Sequence, residues 1–240
     1  MSTLIVFARA PLAGRVKTRL ARAIGDQAAR EVYVALLDDV CATAARVAGA
    51  RRVLCVDGDA GDPTIARLAA RDGMAVTPQG EGDLGARMAR ALAAAIDADP
   101  EGRACVIGTD APDVPPEAIE EAFAGLEASG DVVLGPAEDG GYWLVGARGR
   151  VPREIFDGMS WGTATVLEET LRRWPAARLV SRRRDVDDVG DLRALAAALA
   201  GAPPTVAPAT RRLLATGAAL GIGSEMGIGI GIGITDRRDD

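Results

Sequence analysis

Short, wholly apolar runs alternate along this chain with longer stretches in which apolar side chains recur at helical spacing. Leu4-Ile5-Val6-Phe7-Ala8 has no polar position and runs into a Pro/Gly segment, the pattern of a strand buried on both faces. Residues 51–57, 74–77, 104–108, 131–135 and 142–145 read the same way, with glycine, proline or aspartate at their edges. Helices are predicted over 16–47, broken near Gly25, and over 63–71, 84–98 and 116–129, the last with Pro115-Pro116 near its start. Past Gly149 the alternation weakens to a helix over 163–174, a strand over 178–180 and a helix over 189–200.

Strands and helices in this order build an α/β domain, a mostly parallel sheet with helices on both faces. Such sheets bind ligands at the carboxyl ends of their strands. The loops after Phe7, Thr77, Ile107 and Leu134 are therefore the expected place for chemistry. Residues 1–200 read as one domain. Gly201 to Pro208 is Pro/Ala-rich, and Gly221 to Ile234 is a Gly-Ile repeat interrupted by Ser224, Glu225 and Met226. Residues 201–240 are expected to be a low-complexity, flexible tail.

Composition removes several kinds of chemistry. With 28 Lys+Arg against 34 Asp+Glu, the chain lacks the basic surplus of a nucleic-acid binder, but a local basic patch still suits a small phosphorylated ligand. It contains no histidine, which excludes Ser-His-Asp and Cys-His triads, His-ligated zinc and a histidine general base. Cys41, Cys55 and Cys105 are far apart and form no CxxC pair, so they read as buried thiols in a reducing compartment. A metal would then need oxygen ligands, which points to Mg²⁺ or Mn²⁺. No secretory signal or membrane-length apolar run is apparent, so a cytoplasmic protein without a membrane partner is expected, with a homodimer left open.

Five segments stand out. In the first loop, Arg9-Ala10 and Gly14-Arg15-Val16-Lys17-Thr18-Arg19 place four cations and a glycine between a strand and a helix, a cradle for phosphates. A solvated basic helix start has the same charge pattern. Lys17 is the only lysine among the 28 basic residues, which favours a phosphate role, because a flexible point charge can follow a moving phosphate. The turn Gly108-Thr109-Asp110-Ala111-Pro112 sets an aspartate at a strand's carboxyl end, as a hard-cation ligand or as a plain surface turn. Glu138-Asp139-Gly140-Gly141-Tyr142-Trp143 combines acids, glycines and aromatics. It reads as a substrate contact, a hairpin turn, or a hairpin that presents the acids. Asp185-Val186-Asp187-Asp188 carries alternate acids before a helix, suited to a divalent cation or to the helix N-terminus. Gln79-Gly80-Glu81-Gly82-Asp83-Leu84-Gly85 sets glycines before a helix, with Gln79 able to read a base edge or ribose.

Together FARAPLAGRVKTRLA, QGEGDLGARM, IGTDAPDVP, LGPAEDGGYWLVG, MSWGTATVL and DVDDVGDL resemble the glycosyltransferase-like, nucleotide-diphospho-sugar transferase family, the radical-SAM/selenodomain-associated transferases. That family is similar to phospholactate guanylyltransferases and, more distantly, to molybdenum cofactor guanylyltransferases, whose GGxSxRMG loop is replaced here by LAGRVKTRL. The resemblance implies a GT-A type, Rossmann-like mixed sheet, a nucleotide site at the N-terminal loop and a divalent metal. It matches Asp110 and Asp187 to metal aspartates, and Arg15, Lys17 and Arg19 to the phosphate loop.

The expected activity is a Mg²⁺- or Mn²⁺-dependent transfer of a nucleoside monophosphate from a triphosphate to a small phosphorylated or phosphonate acceptor. The alternatives are glycosyl transfer from a nucleotide sugar and non-catalytic nucleotide binding. The expected catalytic residues are Lys17, Asp110 and Asp139. Arg9, Ala10, Gly14, Arg15, Lys17, Arg19, Gln79, Gly80 and Gly85 would meet the nucleotide, and Glu138, Asp139, Gly140, Gly141 and Tyr142 the acceptor.

Overall fold

The computed structural model describes residues 1–99, 102–128 and 131–216; the Gly-Ile repeat lies outside them. The chain folds in the order β1 (Ser2–Arg9), α1 (Thr18–Ile24), α2 (Asp26–Arg46), β2 (Ala50–Asp57), α3 (Pro63–Asp72), β3 (Ala75–Pro78), α4 (Leu84–Asp97) and β4 (Arg103–Ile107). It continues through α5 (Pro116–Ala128), β5 (Val132–Pro136), β6 (Tyr142–Arg148), a 3₁₀ turn (Arg153–Ile155), α6 (Val166–Arg173), β7 (Arg178–Leu179), α7 (Val189–Gly201) and α8 (Pro208–Thr216).

The strands form a seven-stranded sheet in the order β3-β2-β1-β4-β6-β5-β7. Neighbours pair in parallel except β6, which runs antiparallel to both β4 and β5. This is the mostly parallel mixed sheet of the GT-A type. β1 lies centrally and is buried until Arg9 emerges at its carboxyl end. Its period-2 pattern sends Leu4, Val6 and Ala8 to a core shared with α2, α3 and α5. Ile5 and Phe7 go to the opposite core, with Met88, Leu92 and Ile96 of α4 and Leu167 of α6. A third cluster joins Leu20, Val32 and Leu36 of α1 and α2 to Val186 and to Leu192, Leu195 and Leu199 of α7. Cys41, Cys55 and Cys105 are buried free thiols.

Local chemistry sets the helix ends. Asp62 caps α3 by accepting from Thr64 N and Ile65 N, with Pro63 at the first helical position and Gly73 in the left-handed region at the end. Asp188 and Asp191 form a reciprocal capping box on α7, so these two acids serve the helix start.

The C-terminal region departs from the expectation of a tail beginning at Gly201. Residues 208–216 are helix α8, packed on α2. The cause is Asp39 of α2, 2% exposed, whose carboxylate accepts from Ala209 N and Thr210 N at 2.8 Å each. A side chain from another helix thus satisfies amides at the α8 start, where no intrahelical acceptor exists. Among the described residues no helix is long and apolar enough to cross a membrane.

Asp39→Ala should strand both amides in a buried setting and cost about 2–4 kcal/mol. Urea unfolding measures the loss; an unchanged midpoint would mean that α8 contributes nothing to the domain.

Candidate active site

The carboxyl ends of β1, β2, β4 and β5 and the amino end of β6 open onto a cavity of about 520 Å³. One of its walls begins at Arg9, whose backbone is clamped from α2. Arg9 N donates to Tyr33 Oη at 2.7 Å, and Tyr33 Oη donates to Arg9 O at 2.9 Å. The loop that follows turns at Gly14, in the left-handed region at φ 75°, and reaches Lys17 at the start of α1.

Lys17 also has left-handed backbone angles, φ 47° and ψ 47°, which cost a non-glycine residue about 1–2 kcal/mol. That conformation accompanies a side chain only 5% exposed, with Nζ 2.5 Å from Asp110 Oδ1 and 3.1 Å from Asp187 Oδ1. Burial pulls the ammonium's pKa down, but Asp110 and Asp187 outweigh it and hold the pKa above the ordinary lysine value. The two aspartates belong to segments stitched together by Val186 N donating to Asp110 O at 2.9 Å. They come together as the sequence pattern anticipates, and the cation between them is the lysine.

Two further carboxylates stand nearby. Burial pushes Asp185 up to about 6, and the charges of Asp139, Asp187 and Asp110 add to that rise. Among the described residues no three carboxylates converge closely enough to cage an ion unaided. The donors nevertheless fit a hard divalent cation. They are all oxygen, and Asp110 and Asp187 already share one positive charge. The rest of such an ion's shell would come from substrate oxygens and water.

The nucleotide residues named from sequence separate into those that line the cavity and those that shape it. Arg9, Lys17, Arg19 and Gln79 line it. Arg19 is mostly exposed, its guanidinium 4.0 Å from Asp187 Oδ2. Arg15 is exposed outside the lining, and its carbonyl accepts from Arg9 Nη1 at 3.3 Å. Ala10 is buried, its amide bonded to Asp57 O, and a Cβ on Gly14 would press on the Asp26 carboxylate. Gly80, at φ 77°, leaves room for Arg90, and Gly85 lets the Trp161 ring lie against α4, where a Cβ would come within 2.6 Å. These last four mould the walls without lining the cavity.

Gln79 departs from the role of a base reader. It is buried, and its Nε2 donates to Ala8 O at 3.0 Å and Cys55 O at 3.2 Å. Its Oε1 accepts from Arg87 Nη1 at 3.1 Å, so Gln79 fixes Arg87. Arg87 and Arg9 both reach Asp57 Oδ2, each at 3.1 Å. Sequence reasoning missed Asp57 and Arg87, because an aspartate ending a strand and an arginine inside a helix carry no signal until the fold joins them.

β5 and β6 form an antiparallel hairpin whose turn holds Asp139, with Gly141 N donating to its Oδ1 at 2.7 Å. The expected hairpin is present, and it presents one of its two acids, Asp139, to the cavity. Asp139, Gly141 and Tyr142 line the cavity, whereas Glu138 turns away to an ion pair with Arg184 at 2.8 Å. Tyr142 meets Trp161 edge-on, ring centroids 6.3 Å apart, and Thr163 completes this wall. Trp161, Thr163 and Asp185 also escaped the sequence reading as site residues, although their motifs were conspicuous.

Fold and cavity together define a GT-A-type transferase. Phosphoenolpyruvate guanylyltransferase of Thermomonospora curvata is 31% identical over 201 residues, 84% of this chain and 86% of that one. A crystal structure from Desulfovibrio desulfuricans G20, designated a nucleotide-diphospho-sugar transferase, matches with a TM-score of 0.81 and 32% identity over 91% of this chain and 96% of that one. The 4-diphosphocytidyl-2C-methyl-D-erythritol synthase of Anaerococcus prevotii DSM 20548 shares the fold alone, with a TM-score of 0.55 and 12% identity over 82% and 96% of the two chains. Residues 40–163 match the family described as "Uncharacterized protein conserved in bacteria (DUF2064)", and the chain belongs to it.

Gly140 ties the hairpin to the Trp161 wall. Its carbonyl accepts from Leu167 N at 2.9 Å, its φ is 90°, and a Cβ there would collide with the Ala164 carbonyl. Gly140→Ala should destabilise the domain by about 2 kcal/mol or more, since backbone cannot yield as a side chain does. Chemical denaturation checks it; wild-type stability would show that the two loops are free to separate.

Proposed function

We propose that the protein transfers a nucleoside monophosphate from a nucleoside triphosphate to a small phosphorylated or phosphonate acceptor, with release of pyrophosphate. The observation that carries this reading is the Lys17–Asp110–Asp187 cluster, set beside arginines at the carboxyl edge of the sheet. Lys17 and Arg19 would take the triphosphate oxygens, with Arg15 at the outer rim. Asp110 and Asp187 would hold Mg²⁺ or Mn²⁺, which when bound neutralises phosphate charge and orients the oxygens. An acceptor phosphate oxygen attacks the α-phosphorus as its bond to the bridging oxygen breaks, and pyrophosphate leaves. A phosphate nucleophile is already ionised near neutral pH, so positioning and charge neutralisation suffice without histidine.

The relative's name supports guanosine triphosphate as donor and a phosphorylated carboxylic acid as acceptor. Asp57 agrees with that choice. Its Oδ2 is held by two arginines, and Oδ1 faces no partner among the described residues, so the carboxylate can accept from a base edge that carries two donors. Asp139, Gly141 and Tyr142 would border the acceptor. The second reading, glycosyl transfer from a nucleotide sugar, is favoured by the designation of the Desulfovibrio structure.

The two readings differ in product. With Mg²⁺ and phosphoenolpyruvate, a panel of triphosphates should yield pyrophosphate, fastest with guanosine triphosphate. Asp110→Asn and Asp187→Asn should each lower the rate about 100-fold or more, and EDTA should do the same. Free nucleoside diphosphate from a nucleotide sugar, with no pyrophosphate from any triphosphate, would replace this reading with the second. Full turnover in EDTA would remove the metal from it.

A further inference from the structure

The position between Asp110 and Asp187 is filled by a charge the protein carries itself. The Lys17 ammonium lies 2.5 Å from one carboxylate and 3.1 Å from the other, on a side chain 5% exposed, whereas the two aspartates are 45% and 40% exposed. The cation is therefore more deeply buried than the anions it joins. A divalent ion placed on both carboxylates would lie within a few ångströms of that ammonium. At such a distance like charges repel strongly unless water separates them. Lysine and metal cannot share the position at low cost.

Building on the metal reading of Asp110 and Asp187, we propose that Lys17 is a tethered cation that occupies the divalent-ion position until a triphosphate draws it away. Free metal ion is thereby kept out of the empty site, and metal and nucleotide enter together.

The surroundings suit this exchange. The Val186 amide to Asp110 carbonyl bond and the packing of Val186 in the third cluster hold the two aspartates in place independently of the cation. The pair therefore need not collapse when Lys17 leaves. A lysine on a flexible four-carbon stem can swing from carboxylates to phosphates while its backbone stays fixed, which a planar guanidinium fork does less readily. Arginine serves at 27 of the 28 basic positions, and lysine stands only where the exchange needs it. Arg19, 4.0 Å from Asp187 on a largely exposed side chain, gives an arriving triphosphate a second positive contact on the same helix. An ammonium leaving the two carboxylates then exchanges them for phosphate oxygens and is never left buried without an anion.

Two measurements on the full chain test this. The first titrates Mn²⁺ alone and follows the free ion by electron paramagnetic resonance. Lys17→Met, which keeps the stem without the charge, should bind Mn²⁺ about tenfold or more tighter than wild type in the absence of nucleotide. The second needs no variant and stands even if Lys17→Met folds poorly. Because Lys17 is the only lysine, protein labelled with ε-¹³C-lysine gives one side-chain signal. Mg²⁺ alone should leave that signal in place, and Mg²⁺ with inorganic tripolyphosphate should move it. Equal Mn²⁺ affinity in a folded Lys17→Met, or a lysine signal displaced by Mg²⁺ alone, would overturn the proposal. If Mn²⁺ still binds with tripolyphosphate and Asp110→Asn abolishes that binding, the metal reading survives such a failure. If Mn²⁺ binds under no condition, both fall.

Discussion

One buried ammonium sits where the charges of this site meet. Lys17 joins the end of the first loop to the turn after β4 and to the segment before α7, three pieces far apart in sequence. Without a cation there, Asp110 and Asp187 would stand next to each other at the cavity with no charge between them, and with Asp185 and Asp139 near enough to feel the same field. Such a cluster of carboxylates is costly to keep ionised. Burial is the main reason Asp185 is pushed up to about 6, and the neighbouring charges of Asp139, Asp187 and Asp110 add to it. The site therefore gathers four carboxylates around one buried ammonium, and Lys17 is the group that keeps Asp110 and Asp187 compatible as neighbours.

Much of this was legible in the sequence because the signals were local. Six apolar runs marked six strands within a residue or two, except that β6 extends further, to Arg148. Asp110 and Asp187 were readable as a pair because both lie at strand-to-helix junctions, which an open α/β sheet brings to one edge, and because the family resemblance matches both to metal aspartates. What escaped depends on contacts between distant segments. Asp57 matters through Arg9 and Arg87, Gln79 through the carbonyls it binds, and α8 through Asp39, 170 residues before the amide it caps. A Pro/Ala-rich stretch reads as a tail until a buried carboxylate supplies the acceptor its helix start lacks.

The glycines show the same division between local pattern and tertiary cause. QGEGDLGARM looks like a loop meant to let a nucleotide near the backbone. In the fold Gly80 makes room for Arg90 and Gly85 for Trp161. Arg90 Nη1 donates to Gln79 O at 2.6 Å, Gln79 fixes Arg87, and Arg87 holds Asp57. The glycines therefore act at the cavity through a relay of packed side chains. Trp161, which the absence of a Cβ at Gly85 admits, stacks on Phe156 with an interplanar angle of 28° and lines the cavity itself.

The reversed strand β6 explains how both walls come to one edge. In a wholly parallel sheet, the segment before a strand lies at the edge away from the ligand, and reaching the next strand needs a crossover of a dozen residues or more. Here Ile107 pairs with Leu144 and Pro136 with Tyr142, so the amino end of β6 meets the carboxyl ends of β4 and β5. A tight turn thereby brings Asp139 and Tyr142 to the same cavity as Lys17 and Arg19. It also leaves β6 between β4 and β5, buried along its centre. The loop that brings Asp139 and Tyr142 to the cavity is then anchored on an interior strand. Its position follows from sheet register, with Gly140 needed because the next wall, at Ala164, packs directly against it.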